Sequence, residues 1–160
     1  LSTLFMVSTL HAGHFELKSP DLARSMIPPA FTCDGIDVSP SLYWRGVPHG
    51  TKSFAFIMTD PDASVGTWTH WIVYNIPSNV RTLSRDLRQL PGGAKEGENS
   101  AKDFAYDGPC PPLGVHHYVL ALYALNIKLH LPAEVQRRML KQAMRRHLLG
   151  EAEMVRSYRH

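Results

Sequence analysis

The stretch Tyr106-Asp-Gly-Pro-Cys-Pro-Pro-Leu-Gly-Val-His-His-Tyr118 runs without a break into Val119-Leu-Ala-Leu-Tyr-Ala-Leu125. Its first half is neither helix nor inner strand, because Pro109, Pro111 and Pro112 fix φ and remove backbone donors. Gly108 and Gly114 open backbone angles closed to other residues, or let a ligand approach the main chain. A loop so constrained is pre-shaped, with little further entropy to lose. The second half, from His117 to Leu125, is an apolar run of strand length and reads as a buried strand. Alternation along it places His116 and Tyr118 on one face of the strand's mouth and His117 on the other. A rigid loop thus delivers an imidazole and a phenol together.

Other runs of strand length flank this one. Phe15-Glu-Leu-Lys-Ser19 alternates, and Ser41-Leu-Tyr-Trp44 is a short strand closed by the turn at Gly46-Val-Pro-His-Gly50. Ser53-Phe-Ala-Phe-Ile-Met-Thr59 is apolar on both faces, which places it inside a sheet, and it ends on Asp60-Pro-Asp62. Thr67 to Ile76 is the next strand, stopped by Pro77. Strict alternation there puts Trp68, His70, Ile72, Tyr74 and Ile76 on one face and Thr69, Trp71, Val73 and Asn75 on the other. Residues 78–105 hold no sustained period, and a long segment of that kind in a compact domain is often functional. After the strand that ends near His130, Pro132 suits the first position of a helix, with Val135, Met139, Ala143 and His147 on one side and Gly150 as its stop. Ala152 to Tyr158 reads as a last short helix. Many short strands joined by Gly/Pro turns, with helices gathered at the C-terminus, argue for a mainly β antiparallel sandwich.

Length and composition suit one domain over residues 15–160, with residues 1–14 as an N-terminal extension. The chain has 160 residues, 44% of them hydrophobic and 19% charged, which are globular values. Residues 133–160 hold seven Arg or Lys against three Glu, more positive than the whole chain at +3, and read as a solvated helix face. No zinc-finger spacing or aromatic-interleaved basic motif argues for nucleic acid. No apolar run approaches about 18 residues, so no membrane-spanning helix is expected. Leu1 to Ala12 is apolar and small, and reads as a signal remnant or as an ordinary N-terminal strand. Its lack of a basic region favours the cytoplasm over export, with the periplasm and secretion left open. Cys33 and Cys110 allow one disulfide, expected in an oxidising compartment and not in a reducing one.

Two polar groups of residues border the buried-looking strands: Asp60 and Asp62 with His70, and His116 with Tyr118. If their strands are neighbours, carboxylates, two imidazoles, a phenol and the backbone N–H groups near Gly108 meet in one place. That mixture suits a phosphate-like oxyanion, since charge-assisted hydrogen bonds are about twice as strong as neutral ones. A carboxylate repels a dianion and is better used to orient and protonate a histidine. Taken singly, Asp60 before Pro61 also suits a turn cap, His70 a core histidine and Tyr118 plain packing. The competing chemistry is a hydrolase that uses Cys110 as a nucleophile, or the Asp60/His70 pair. The prolines around Cys110 leave no helix N-terminus to activate it. No HxH or HExxH pair argues for a metal, and no cofactor motif is present.

Four ordered motifs, Cys33-Asp-Gly-Ile-Asp-Val-Ser-Pro40, Asp60-Pro-Asp-Ala63, Thr69-His-Trp-Ile-Val-Tyr-Asn-Ile-Pro77 and Tyr106 to Tyr118, resemble the phosphatidylethanolamine-binding protein family, which includes the Raf kinase inhibitor protein, and its bacterial branch most closely. The helical end from Ala143 to Tyr158 fits as well. The resemblance implies two antiparallel sheets with a small anion pocket at one end, a phosphate or phospholipid headgroup such as phosphoethanolamine as ligand, no catalysis and no cofactor. It implies a kinase or protease as a regulated partner and leaves a homodimer open. Carried over by motif, the pocket comprises Asp60, His70, His116 and Tyr118, with the Gly108-Pro109 backbone and Pro112 as its wall and Asp62 and Trp71 behind. Two positions depart from the pattern. Ser64 stands where the family has Pro, which would loosen that loop. His117 stands where it has Arg, which would cost a supporting salt bridge.

Overall fold

A computed structural model describes residues 14–160. The readings made for the N-terminal extension therefore lie outside the described residues, His14 apart. Strands β1 (Glu16–Lys18), β2 (Leu42–Arg45), β3 (Ser53–Asp60), β4 (Trp68–Pro77), β5 (Thr82–Leu83), β6 (Lys95–Glu96), β7 (Val115–Leu125) and β8 (Leu148–Arg159) form two antiparallel sheets. The smaller has the order β1-β2-β5 and the larger β6-β4-β3-β7-β8. One helix, α1 (Arg137–Met144), follows β7.

The double-sided apolar pattern of β3 has its cause in this order. β3 is the middle strand of the larger sheet, and both of that sheet's faces are covered. On the inner face Phe54, Phe56 and Met58 join Leu120, Leu122 and Met154 in a core closed by Leu17, Leu42, Trp44 and Leu83 of the smaller sheet. On the outer face Ala55, Ile57, Ile72, Tyr74 and Tyr123 meet Leu129, Val135, Leu140 and Met144. The sandwich thus has a second, smaller core under α1.

The C-terminal end differs from its sequence reading. Residues 148–159 are a strand, not a helix, and pair with β7 from Val115↔Arg159 to Leu125↔Leu148. Helix-forming Glu, Ala and Met residues fill this segment, but burial decides: Ala152, Met154 and Tyr158 face the core while Glu151, Glu153 and Val155 are exposed. The helix also starts later than Pro132. Glu98 N–H donates to Val135 O at 2.7 Å and Gln136 bridges Glu98, so that backbone is spent on pairing. Its buried stripe is Leu140 and Met144, and Met139 is exposed.

Strict alternation along β4 fails twice. Register with β3 slips between Phe54 and Phe56, where Asn75 takes a positive φ of 55°, and again between Met58 and Thr59, opposite His70. An inserted residue lets two neighbours face the same way. Trp71, Val73 and Ile76 consequently belong to the inner core, Ile72 and Tyr74 to the outer one, and His70 turns toward the inner face beside Tyr118. The segment before residue 28 crosses to the far end of β8: Ile27 N–H donates to Ser157 O, and Ser157 N–H to Ser25 O, both at 2.8 Å.

The strand assignment of β8 gives a test. Met154→Ala, which empties an inner-face site, is expected to cost about 2–5 kcal/mol, and Val155→Thr, on the open face, within about 0.5 kcal/mol. Denaturant midpoints of the two variants measure this, and equal losses would contradict the alternation.

Candidate functional site

Antiparallel pairing brings the C-terminal end of β3, the start of β4 and the start of β7 to one edge of the sandwich. Asp60, His70 and His116 with Tyr118 ride on these three strands. They line a cavity of about 520 Å³ together with Asp62, Trp68, Asp107, Gly108, Cys110 and Pro112. The two polar groups read from the sequence are thus one site. A wider concavity of about 750 Å³ lies on the outer face of the larger sheet beside α1, floored by Thr59, Ala121 and Tyr123 and flanked by Arg137, Lys141 and Arg145. Among the described residues no unpartnered buried polar side chain opens into it.

Asp60 is the centre of the site. It is 4% exposed, and both its oxygens are engaged. Oδ1 accepts the Asp62 N–H at 2.8 Å, and Oδ2 accepts His116 Nδ1 at 2.6 Å. A buried carboxylate requires such partners. The bond fixes the orientation of the His116 ring and leaves Nε2 as its other polar atom. His70 is held differently: its Nδ1 donates to the main-chain oxygen of Asp107 at 2.5 Å. Burial pushes the pKa of His70 below the ordinary imidazole value, against the opposing pull of the Asp107 oxygen. The expected Asp60/His70 pair therefore does not form; Asp60 takes His116, and His70 takes the proline-rich loop.

Tyr118 is fully buried, stands edge-on to His70 with ring centroids 5.3 Å apart, and its Oη lies near the Asp60 carboxylate but makes no hydrogen bond of normal geometry. Burial, with the Asp60 charge nearby, pushes its pKa far up, so it is a phenol with a proton to donate. Native structures rarely leave such a group unpaired, and a missing ligand or water is one of the few reasons to do so.

The loop is held from beneath. Trp71 Nε1 donates to Glu96 at 2.9 Å, its ring meets Tyr106 edge-on, and Tyr106 Oη donates to Phe31 O at 2.7 Å. Cys33 and Cys110 are joined in a disulfide with Cα atoms 5.4 Å apart. In this state Cys110 has no thiol with which to act as a nucleophile. Pro109 does not line the cavity; its carbonyl accepts Cys33 N–H at 3.1 Å. The Asp37 carboxylate lies against the Gly108 backbone, on the side where a Cβ would stand. Any Cβ at Gly108 would collide with Asp37 and lie 2.6 Å from Phe31 O, so only glycine fits there.

One of the two departures is compensated. A hydrogen-bonded pair stands in place of that salt bridge, because the turn after Asp60 brings Asp62 within reach of the shorter imidazole. His117 reaches the Asp62 carboxylate at 2.8 Å through both its backbone N–H and Nδ1, and these bonds pull the Asp62 pKa down. The loop containing Ser64 is tied by Gly66 N–H to Ala63 O at 3.1 Å.

Sequence reasoning missed Asp37 and Asp107. Burial, then the Asp107 charge, pushes the Asp37 pKa up. Asp107 supplies the oxygen that holds His70, and its carboxylate receives Trp68 Nε1 at 3.5 Å. Only its place in the turn Tyr106-Asp-Gly108 could have pointed to it.

A family model described as phosphatidylethanolamine-binding protein matches residues 18–159. A UPF0098 protein of Methanothermobacter thermautotrophicus is 44% identical over 139 residues, covering 85% of this chain and 92% of that protein. A UPF0098 protein of Aquifex aeolicus is 44% identical over 138 residues, covering 83% and 81%. Among solved structures, YbcL of Escherichia coli, described as a new member of the mammalian PEBP family, superposes with a TM-score of 0.86 at 31% identity, covering 92% of this chain and 99% of that one. CT736 of Chlamydia trachomatis, described as a PEBP homologue, gives 0.85 at 35%, covering 91% and 97%.

The depressed pKa of His70 fixes a pH dependence. Folded His70 binds a proton more weakly than the unfolded side chain, so from about pH 6.5 downward the unfolded chain takes up protons first and the folded state loses stability. One such group contributes a slope of at most about 1.4 kcal/mol per pH unit. Denaturant unfolding between pH 7.5 and 5.5 is expected to fall more steeply for the native protein than for His70→Phe, and equal slopes would show that burial does not hold His70 neutral.

Proposed function

The chain belongs to the phosphatidylethanolamine-binding protein family, and on that premise we propose that it binds a phosphate-like monoanion or the phosphate of a phospholipid headgroup in the cavity behind Asp60. The unpartnered Oη of buried Tyr118 is the observation that carries this reading. An anion oxygen seated there accepts a hydrogen bond from the phenol, and a protonated oxygen of the monoanion donates to the free ring nitrogens of His116 and His70, whose Nδ1 atoms are already bonded. Asp60 works against a dianion and for a protonated imidazole, so the favoured species carries one negative charge, or a negative phosphate with an ammonium group near the carboxylates. A bound anion opposes the burial that holds His70 neutral, so affinity rises as pH falls toward the depressed titration of that ring.

The rim supports an organic ester over a bare ion. Ala63, Val65, Pro111, Pro112 and Leu113 surround the polar floor, giving an apolar collar to a polar base. That division matches the polar head and less polar remainder of a phosphoester. The role is binding without turnover, in keeping with a histidine pair held by a carboxylate and a main-chain oxygen. A second role, inhibition of a kinase or protease, is favoured by one observation: Val65 and Leu113 at the mouth are 80% and 86% exposed and offer an apolar contact to a protein. In that role pocket variants would still inhibit and Leu113→Asp would not.

Calorimetric titration with inorganic phosphate and with O-phosphoethanolamine tests the first reading. The native protein is expected to bind both, more tightly at pH 6 than at pH 8. Tyr118→Phe should keep the fold and lose about tenfold or more in affinity, the value of one hydrogen bond to a charged group at about 1.5–3 kcal/mol. Absence of heat at millimolar ligand in the folded protein, or full affinity in Tyr118→Phe, would refute it.

A further inference from the structure

At the pocket wall, sharing Cys110 with the cavity lining, lies a second group of ligand-type side chains. Cys33 Sγ, Cys110 Sγ and His160 Nδ1 all lie within 4.8 Å of one another, with Cys33 Sγ and the imidazole nitrogen 3.9 Å apart. The Asp34 carboxylate sits 2.9 Å from the same nitrogen. Both cysteines and His160 are exposed, so solvent, a reductant and an ion all have access. Two sulfurs, one imidazole and one carboxylate are the donor types of a tetrahedral zinc centre.

We propose that Cys33, Cys110 and His160 form a metal site for Zn²⁺ that exists only when the disulfide is reduced, with Asp34, which now hydrogen-bonds the His160 ring, turning in as the fourth donor. Two electrons and two protons from a dithiol cleave the Cys33–Cys110 bond, and the dithiol is itself oxidised to its disulfide. Zn²⁺ then displaces the two thiol protons to solvent and binds both thiolates. With Zn–S near 2.3 Å and Zn–N near 2.0 Å, tetrahedral ligands stand about 3.5–3.8 Å apart. The sulfur–nitrogen separation of 3.9 Å is a few tenths of an ångström wider than this. The two sulfurs must part, which their Cα atoms, 5.4 Å apart, allow by side-chain rotation, and the Asp34 carboxylate must turn from the ring nitrogen toward the ion.

The scaffold keeps these donors together without the disulfide. Cys33 N–H to Pro109 O at 3.1 Å and Tyr106 Oη to Phe31 O at 2.7 Å join the same two loops. Tyr158, on β8, hydrogen-bonds Asp34 and so fixes that carboxylate beside the end of the strand that His160 follows. In an oxidising compartment the disulfide excludes the ion, whereas in a reducing one a cysteine pair is more often a ligand pair. The ion would then restore the crosslink between the loop at residue 33 and the wall of the anion pocket.

The test uses the full chain, reduced with dithiothreitol and freed of it under nitrogen, and titrated with Co²⁺ as a spectroscopic stand-in for Zn²⁺. One Co²⁺ per chain is expected, with thiolate-to-cobalt charge-transfer and tetrahedral d–d bands that Zn²⁺ abolishes. The oxidised protein should show neither band. His160→Ala and Asp34→Asn, both at exposed positions, should each weaken Co²⁺ binding about tenfold or more in the reduced protein. If reduction unfolds the chain, refolding on addition of Zn²⁺ supports the site, and failure to refold refutes it. Absence of thiolate bands in the reduced protein, or unchanged affinity in both variants, also refutes it. Phosphate binding by the oxidised protein is read separately and does not depend on this result.

Discussion

A carboxylate withdrawn from water at the end of the central strand sets the terms for the whole functional edge. Asp60 closes β3, the middle strand of the larger sheet, and it is almost completely buried. A charge in that position is tolerated only when its oxygens are fully engaged. The turn supplies one donor through the Asp62 amide, and β7 supplies the other through His116. Satisfying Asp60 thus aligns the start of β7 with the end of β3 and leaves His116 with a single orientation. Tyr118, two residues further on the same face, is carried to full burial by the same alignment. The only buried hydroxyl in the site without a partner among the described residues is the consequence. The interaction that holds this end of the sandwich together is also the one that leaves an opening for a ligand.

His70 reaches that opening by a different device. Strict alternation would bury it in the outer core with Ile72 and Tyr74. The extra residue in β4 opposite the Met58–Thr59 step turns it inward instead, where Asp107 of the proline-rich loop receives its Nδ1 proton. A loop that spends its prolines on rigidity and its one buried glycine on a close approach to Phe31 can hold that oxygen in place. Sheet irregularity and loop rigidity act together, since either alone would leave the ring without a partner.

Much of this edge is legible in the sequence, and the reasons are local. Asp60-Pro-Asp62 follows an unmistakable inner strand, His116 and Tyr118 alternate at the mouth of another, and the loop between residues 106 and 114 declares itself by composition. What was not legible depended on contacts remote in the chain. The register slips of β4 arise from pairing with β3 and leave no mark beyond Asn75, one of few side chains able to take a positive φ. Residues 148–159 carry helix-forming residue types, and only the exposed edge of β7 turns them into a strand. Asp37 and Asp107 each look like turn aspartates until the fold sets one against Gly108 and the other under His70. The resemblance to a known family named the same pocket residues, but it suggested a lost salt bridge where His117 in fact meets Asp62.

The crossing of residues 25–27 along β8 has a consequence for how the molecule behaves in company. An open strand edge is a template on which a second chain can polymerise. At the functional end of the larger sheet that edge is occupied, because Ser157 exchanges both main-chain hydrogen bonds with Ser25 and Ile27, and Arg156 Nε caps Leu22 O at 2.7 Å. The opposite edge is only the two-residue strand Lys95–Glu96, with a charge of each sign. Sheet-to-sheet growth thus finds little purchase where the pocket opens, and the apolar collar there can stay exposed to a ligand without seeding fibrils.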